Sequence, residues 1–329
     1  MVEYPSLDRL VFGTLQGVAV LFIAPGVAGL ISYFKAELQQ RRRRFFITLR
    51  QPYLDLAKLM GKSAMRAETT STLFAVVPVV LFVSYGILAF VVPVFHRTAA
   101  LAADLILIVY ILGLARFVLS LAGLDAGAPF GGLGGSREML LHFLTEIGLF
   151  TAMAVLAIRW QPVNLQALLA LHGKLGIAGL LRHPELVLVA LSFIVSILFE
   201  SGRIPIDDPT THLELSMGQK AITLEYAGRD LALVEWAEMI KFTFLLTLFA
   251  GLFLPTAMAP DSFDFFGSIA ALAWYAGKMV CLIFALAIWE LRIPKLRTRS
   301  VVRPGLYPIV FSTLAIVYYT VTTAFGGRP

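Results

Sequence analysis

Residues 199–238 read FESGRIPIDDPTTHLELSMGQKAITLEYAGRDLALVEWAE. The stretch holds eight of the chain's 21 acidic residues: Glu200, Asp207, Asp208, Glu214, Glu225, Asp230, Glu235 and Glu238. Long apolar runs flank it on both sides. Acidic groups are costly near hydrocarbon. A dense acidic loop between membrane helices therefore reads as the feature that the surrounding scaffold holds at one membrane face.

Outward from this loop, the apolar runs decide the class. Leu10–Phe34 and Ser71–Phe95 carry no charge, and about 20 apolar residues suffice to cross a bilayer. The 329 residues are 58% hydrophobic and 15% charged, against about a quarter charged in soluble chains. The expected fold is an all-α polytopic membrane protein, a single integral membrane domain over 1–329. The net charge of +6 does not point to nucleic acid, because the basic residues crowd into a few loops as the positive-inside rule requires. The first apolar run lacks an early basic segment and is too long for a signal peptide core, so it reads as a retained membrane helix. The one cysteine, Cys281, excludes an internal disulfide and a Cys-ligated iron–sulfur or zinc site. It is expected to pack as a small buried apolar side chain.

Eight spans are expected, near 10–34, 71–95, 99–121, 138–158, 185–201, 239–259, 267–290 and 304–325. The fifth has an uncharged core of only 14 residues, Leu186–Phe199. Charge parity retains it. With Arg41–Arg44 inside, the inner loops 35–70, 122–137, 202–238 and 291–303 hold 9, 1, 3 and 5 Lys/Arg. Without the fifth span the basic group from Arg292 to Arg303 moves outside, against the orientation rule. This topology puts the N-terminus outside and the acidic loop in the cytoplasm, in the cell inner membrane. Lys35–Arg50 reads as an orientation signal, and Gln51–Lys62 as an interfacial amphipathic helix.

Ionisable residues inside spans mark water or proton routes. Glu138, His142 and Glu146 recur at i, i+4 and i+8, so they share one face of the fourth span. The alternatives are a polar seam packed on another subunit or on the loop glycines and, more weakly, a metal site. Lys278 lies mid-way along the seventh span, with Glu146 and Asp104 as candidate partners; Arg116 sits near the inner end of the third. Five glycines between 127 and 135 read as a flexible, closely packing turn region, and GGLGG lacks the preceding strand of a dinucleotide site. In the acidic loop, Pro205 and Pro209 break helix, and Thr210 or Thr211 can cap a short one. Mutual repulsion of its acids suits a proton relay or docking to basic groups of a partner. No internal repeat is visible, which counts against an inverted-repeat transporter.

Three motifs, ESGRIPIDDPTTHLEL at 200–215, LEYAGRDLALVEW at 224–236 and AGLDAGAPFGGLGGSREM at 122–139, resemble the subunit 1 family of respiratory complex I. More closely they resemble its branch in formate hydrogenlyase, hydrogenase-4 and energy-converting [NiFe] hydrogenases. The resemblance implies a non-catalytic membrane anchor that joins a hydrophilic arm to antiporter-like proton-pumping subunits. That arm comprises hydrogenase-like large and small subunits and iron–sulfur subunits. It implies that Glu200, Asp207, Asp208, Glu214, Glu225 and Glu235 belong to the start of the proton path, with Glu138 and Glu146 as its membrane acids; the charges inside the spans add His142, Lys278 and Asp104 as candidates. Arg137, Arg203, Arg229 and Asp230 are the candidate docking residues. No cofactor or metal is expected in this subunit; iron–sulfur and [NiFe] centres belong to its partners. A quinone site is the alternative, although RIPIDDPTTHLEL replaces the acid-rich segment of the quinone-using branch. The rival from another class is a stand-alone ion-coupled transporter.

Overall fold

The computed structural model describes residues 7–94, 100, 101, 103–161, 163–172, 176–203, 218–254, 265–292 and 303–325. Asp207, Asp208, Glu214 and the capping threonines 210 and 211 lie outside the described residues. The helices are α1 (Leu7–Leu38), α2 (Phe45–Met60), α3 (Thr72–Val91), α4 (Leu105–Asp125), α5 (Pro129–Trp160) and α6 (Leu165–His172). They continue with α7 (Gly176–Arg182), α8 (Pro184–Glu200), α9 (Gln219–Leu224), α10 (Gly228–Phe253), α11 (Phe265–Arg292) and α12 (Tyr307–Phe325).

Seven described helices are long and apolar enough to cross a membrane: α1, α3, α4, α5, α10, α11 and α12. The expected fifth span is α8, which has 17 residues, about 26 Å of helix against roughly 30 Å of hydrocarbon. Its Leu186, Val189, Phe193 and Ile197 are buried where it packs on α5 and α12.

The bundle is built around α10, in which every residue from Ile240 to Phe253 is buried. A helix that is apolar all round belongs inside, and α10 packs against α1, α2, α3, α8 and α11. Its two inner threonines satisfy their hydroxyls locally. Thr243 donates to the Met239 carbonyl at 2.9 Å, and Thr247 to the Thr243 carbonyl at 2.8 Å.

The glycines at 131–135 differ from expectation. Helix α5 starts at Pro129, a residue pre-set for the first helical turn, and runs straight through them. Only Gly127, at φ +66°, makes the turn. The close packing expected of them is present, but between helices. A Cβ on Gly123 of α4 would lie 2.9 Å from the Gly131 carbonyl oxygen, and one on Gly135 would lie 3.0 Å from that of Ser120.

At its first turn, α3 is capped across the fold. Asp125, at the end of α4, accepts from the Ser71 N–H at 3.0 Å, the Ser71 hydroxyl at 2.9 Å and the Phe74 N–H at 3.3 Å. The interfacial helix begins earlier than expected, at Phe45, and docks on α1. There Tyr53 donates to the Phe22 carbonyl at 2.7 Å and accepts from the Gly26 N–H at 3.1 Å. Cys281 is exposed on α11 rather than buried, because it falls on the side of α11 turned away from α1 and α10.

Gly228 opens α10 at φ +58°, where an added Cβ would lie 2.1 Å from the Ser63 carbonyl oxygen. Left-handed backbone and a clash with main chain act together. Gly228→Ala is therefore expected to destabilise the chain by about 1–3 kcal/mol, measured as a lower melting temperature in detergent.

Candidate functional site

Helices α4, α5 and α8 bring four ionisable side chains to one buried point. Arg116 comes from α4, Glu138 and His142 come from successive turns of α5, and Glu200 ends α8. The Arg116 guanidinium Nε lies 2.6 Å from Glu200 Oε2, and its Nη1 lies 3.5 Å from Glu138 Oε1. It also donates to the backbone carbonyl of Glu200 and lies against the His142 ring. His142 is hydrogen-bonded to Glu138 through Nε2, and its Nδ1 lies 3.5 Å from Glu200 Oε1. Thr145 donates to the same oxygen at 3.3 Å. No side chain of the four is more than 8% exposed. The guanidinium thus contacts each of the other three side chains.

Helix α10 extends the cluster. Lys241 is fully buried, is paired with Glu238 one turn before it, and sits 5.4 Å over the ring of Tyr85 from α3. It acts electrostatically on both Glu138 and Glu200. The cluster thus sets two cations, Arg116 and Lys241, against three carboxylates, Glu138, Glu200 and Glu238. Protonation of His142 balances that inventory. Chemically the arrangement can hold a proton on His142, between the Glu138 and Glu200 carboxylates.

Glu238 also lines a cavity of ≈ 230 Å³, together with Glu235, Arg203, Gln219 and Lys220. It is the group that joins the cavity wall to the buried cluster. Arg203 lies 3.4 Å from Glu290 of α11 and 4.1 Å over the Phe242 ring; Glu290 also binds Lys35 of α1. Burial pushes the Arg203 guanidinium down, and Glu290 opposes the shift. Arginine starts so high that it stays charged.

Of the residues expected to carry a proton path, the structure brings together Glu138, His142 and Glu200, with Glu235 in the cavity wall beside them. Glu146, two turns further along α5, is half-exposed and packs its carboxylate over Gly113. Lys278 does not meet it. Lys278 donates to the Leu254 carbonyl at 3.1 Å on α11, which packs on α1 and α10, whereas α5 packs on α4, α8 and α12. Asp104 is exposed just before α4, bridged to Asn164, and Glu225 ends α9 against Gly131.

Among the expected docking groups, Asp230 is held within the chain by Arg66 at 2.8 and 3.2 Å. Arg229 is exposed and donates to the Met60 carbonyl at 3.2 Å, and Arg137 is partly exposed beside Glu138. Sequence reasoning missed Lys241 and Tyr85 as members of the cluster and gave Arg116 no partner. Lys241 opens the uncharged run 242–253 three residues after Glu238; that i, i+3 pair was the available signal. A second buried pair, Arg159 with Glu185, closes the opposite ends of α5 and α8.

A family model described as NADH dehydrogenase matches residues 15–322. The chain is 31% identical over 257 residues to hydrogenase-4 component C of Escherichia coli, across 77% of this chain and 78% of that protein. It is 26% identical over 292 residues to formate hydrogenlyase subunit 4 of Escherichia coli, across 88% and 91%. It is 24% identical over 266 residues to a subunit of the NADH-quinone oxidoreductase of Rickettsia typhi, across 78% and 75%. A solved chain from a membrane-bound sulfane sulfur reductase, an archaeal respiratory membrane complex, superposes with a TM-score of 0.77. It shares 17% identity, over 94% of this chain and 100% of that one, and so shares the fold.

Proposed function

The chain belongs to the NADH dehydrogenase family, that of respiratory complex I subunit 1, and from that membership we propose that it is the membrane anchor of a hydrogenase-4- or formate hydrogenlyase-like complex. In this reading it docks a hydrophilic electron-transfer arm onto proton-pumping membrane subunits and forms the start of the coupling path. The arm carries the iron–sulfur and [NiFe] centres; this chain supplies proton chemistry only.

The observation that carries the reading is the buried cluster opening through Glu238 to the cavity. Buried carboxylates with arginine and lysine counter-ions are costly in a membrane helix bundle and mark ion routes. A proton reaches Glu235 and Glu238 from the cavity. Loss of negative charge on Glu238 frees the Lys241 ammonium to act on Glu200 and Glu138. His142 then takes or yields its proton between these two carboxylates. A charge change in the docked arm biases that exchange.

The same reading has eight crossings, with α8 as the short fifth, the N-terminus outside and residues 202–238 in the cytoplasm. In a Cys281→Ser background, Lys220→Cys is expected to react with a membrane-impermeant maleimide only from the cytoplasmic side. Labelling from the outside overturns the topology.

Purification of the chain from its native membrane, with identification of co-purifying subunits, tests the function. Hydrogenase-like, iron–sulfur and antiporter-like subunits are expected. A chain that migrates alone and transports ions by itself overturns the proposal. The cavity beside the cluster is the observation that favours the second reading, a quinone site, and a photoreactive quinone that labels Gln219 or Met239 would support it.

A further inference from the structure

We propose that the outer face of α4 and α5 around Glu146 seats a membrane helix of a neighbouring subunit, which presents a lysine or arginine to that carboxylate. The proposal rests on the anchor reading above and names one of the anchor's interfaces.

Glu146 lies near the middle of the 32-residue α5. Its carboxylate packs over Gly113, close enough that a Cβ there would lie 2.2 Å from Oε1. The absent side chain of Gly113 leaves the carboxylate room at the surface between the two helices. Glu146 makes no hydrogen bond or ion pair among the described residues. The cluster at Arg116, Glu138, His142 and Glu200 is buried, whereas Glu146, one turn beyond His142, is half-exposed between α4 and α5.

The side chains around it are apolar and exposed. Tyr110, Leu114 and Phe117 on α4 and Leu140, Phe143 and Phe150 on α5 are between 45% and 69% exposed. Such a surface suits lipid, but a carboxylate at that depth does not, since charge against hydrocarbon is costly unless it is paired. The outward faces of α11 and α12 carry apolar and aromatic side chains of the same kind but no acid at comparable depth (Glu290 of α11 is held by Lys35 and Arg203). Charge complementarity therefore selects the partner: a helix with one basic side chain opposite Glu146.

A second feature on the same face supports a helix rather than a passing lipid. Beyond Phe150, toward Trp160, α4 and α5 part to form an apolar groove of ≈ 160 Å³. Ile106, Val109, Met153, Ala157 and Ile158 line it. A helix that lies along α5 and meets Glu146 can set an apolar side chain in this groove about two turns further on. Small residues and notches of this kind let membrane helices approach closely.

The test uses the intact complex in native membranes, with the photoreactive residue benzoylphenylalanine placed at position 143 or 150. Illumination is expected to give a covalent adduct with a second membrane subunit, identified by mass spectrometry. Glu146→Lys, which sets like charges against each other, is expected to lower the adduct yield more than about tenfold. An adduct confined to lipid or to a hydrophilic subunit overturns the proposal. So does a yield unchanged in Glu146→Lys. The parental adduct alone decides the question if the variant fails to accumulate. Failure here leaves the redox subunits co-purifying with the chain, whereas failure of the anchor reading leaves the chain with no such subunits.

Discussion

Arg116→Leu is expected to keep the chain from accumulating in the membrane. Arg116 is the central counter-ion of Glu138 and Glu200, at 3.5 and 2.6 Å, and it also satisfies the end of α8 through the Glu200 carbonyl. Its removal takes the guanidinium from both Glu138 and Glu200 and leaves them only His142 and the more distant Lys241 to offset their charge. Breaking a buried pair by removing one partner costs about 3–5 kcal/mol. Total stability is of order 5–15 kcal/mol, so the loss takes a large share. Arg116→Lys keeps the charge but not the forked geometry, and is expected to lie between the two. The combination Arg116→Leu with Glu200→Gln removes both partners and is expected to recover part of the loss. Immunodetection in membranes and melting in detergent measure each variant. Parental amounts of Arg116→Leu, with an unchanged melting temperature, would show that the cluster does not hold the fold.

Lys241→Met is expected to leave the complex assembled and to uncouple it. Methionine keeps the length and apolar stem of the lysine, so the core around Tyr85 and α10 stays filled. What is lost is the ammonium that pairs with Glu238 and acts on Glu200 and Glu138. The link between the cavity wall and the Arg116 cluster is then broken. Electron transfer is expected to stay within about twofold of the parental rate, while protons moved per electron fall more than about tenfold. Glu200→Gln, which removes the carboxylate between Arg116 and His142, is expected to act in the same direction. Proton uptake into vesicles, recorded alongside electron transfer, separates the two quantities. An assembled Lys241→Met complex that pumps at the parental ratio removes the cluster from the coupling path.

These variants replace the ones that the sequence suggests. Read along the chain, Glu146 and Lys278 look like partners, since both are charges set deep in apolar runs. In the bundle they belong to helices that do not share a packing face. Lys278 is held by the Leu254 carbonyl, and Glu146 lies half-exposed over Gly113.

The helical membrane class was legible in the residues, because uncharged runs longer than a bilayer is thick have few other uses. So was the family, through three long motifs. Glu138 and His142 could be placed on one face, because a helix returns to the same side every four residues. The charge problem was visible in outline too, since each buried acid needs a counter-ion somewhere. Which cation that is depends on the assembled bundle. Arg116 lies 84 residues from Glu200, and Lys241 comes from a fourth helix. Packing in three dimensions also placed the closely packing glycines inside α5 rather than in a turn, and put Cys281 on an outer face. The physical reason is the same in each case. Periodicity fixes what shares a face within one helix, while the choice of facing helix depends on packing summed over the whole bundle.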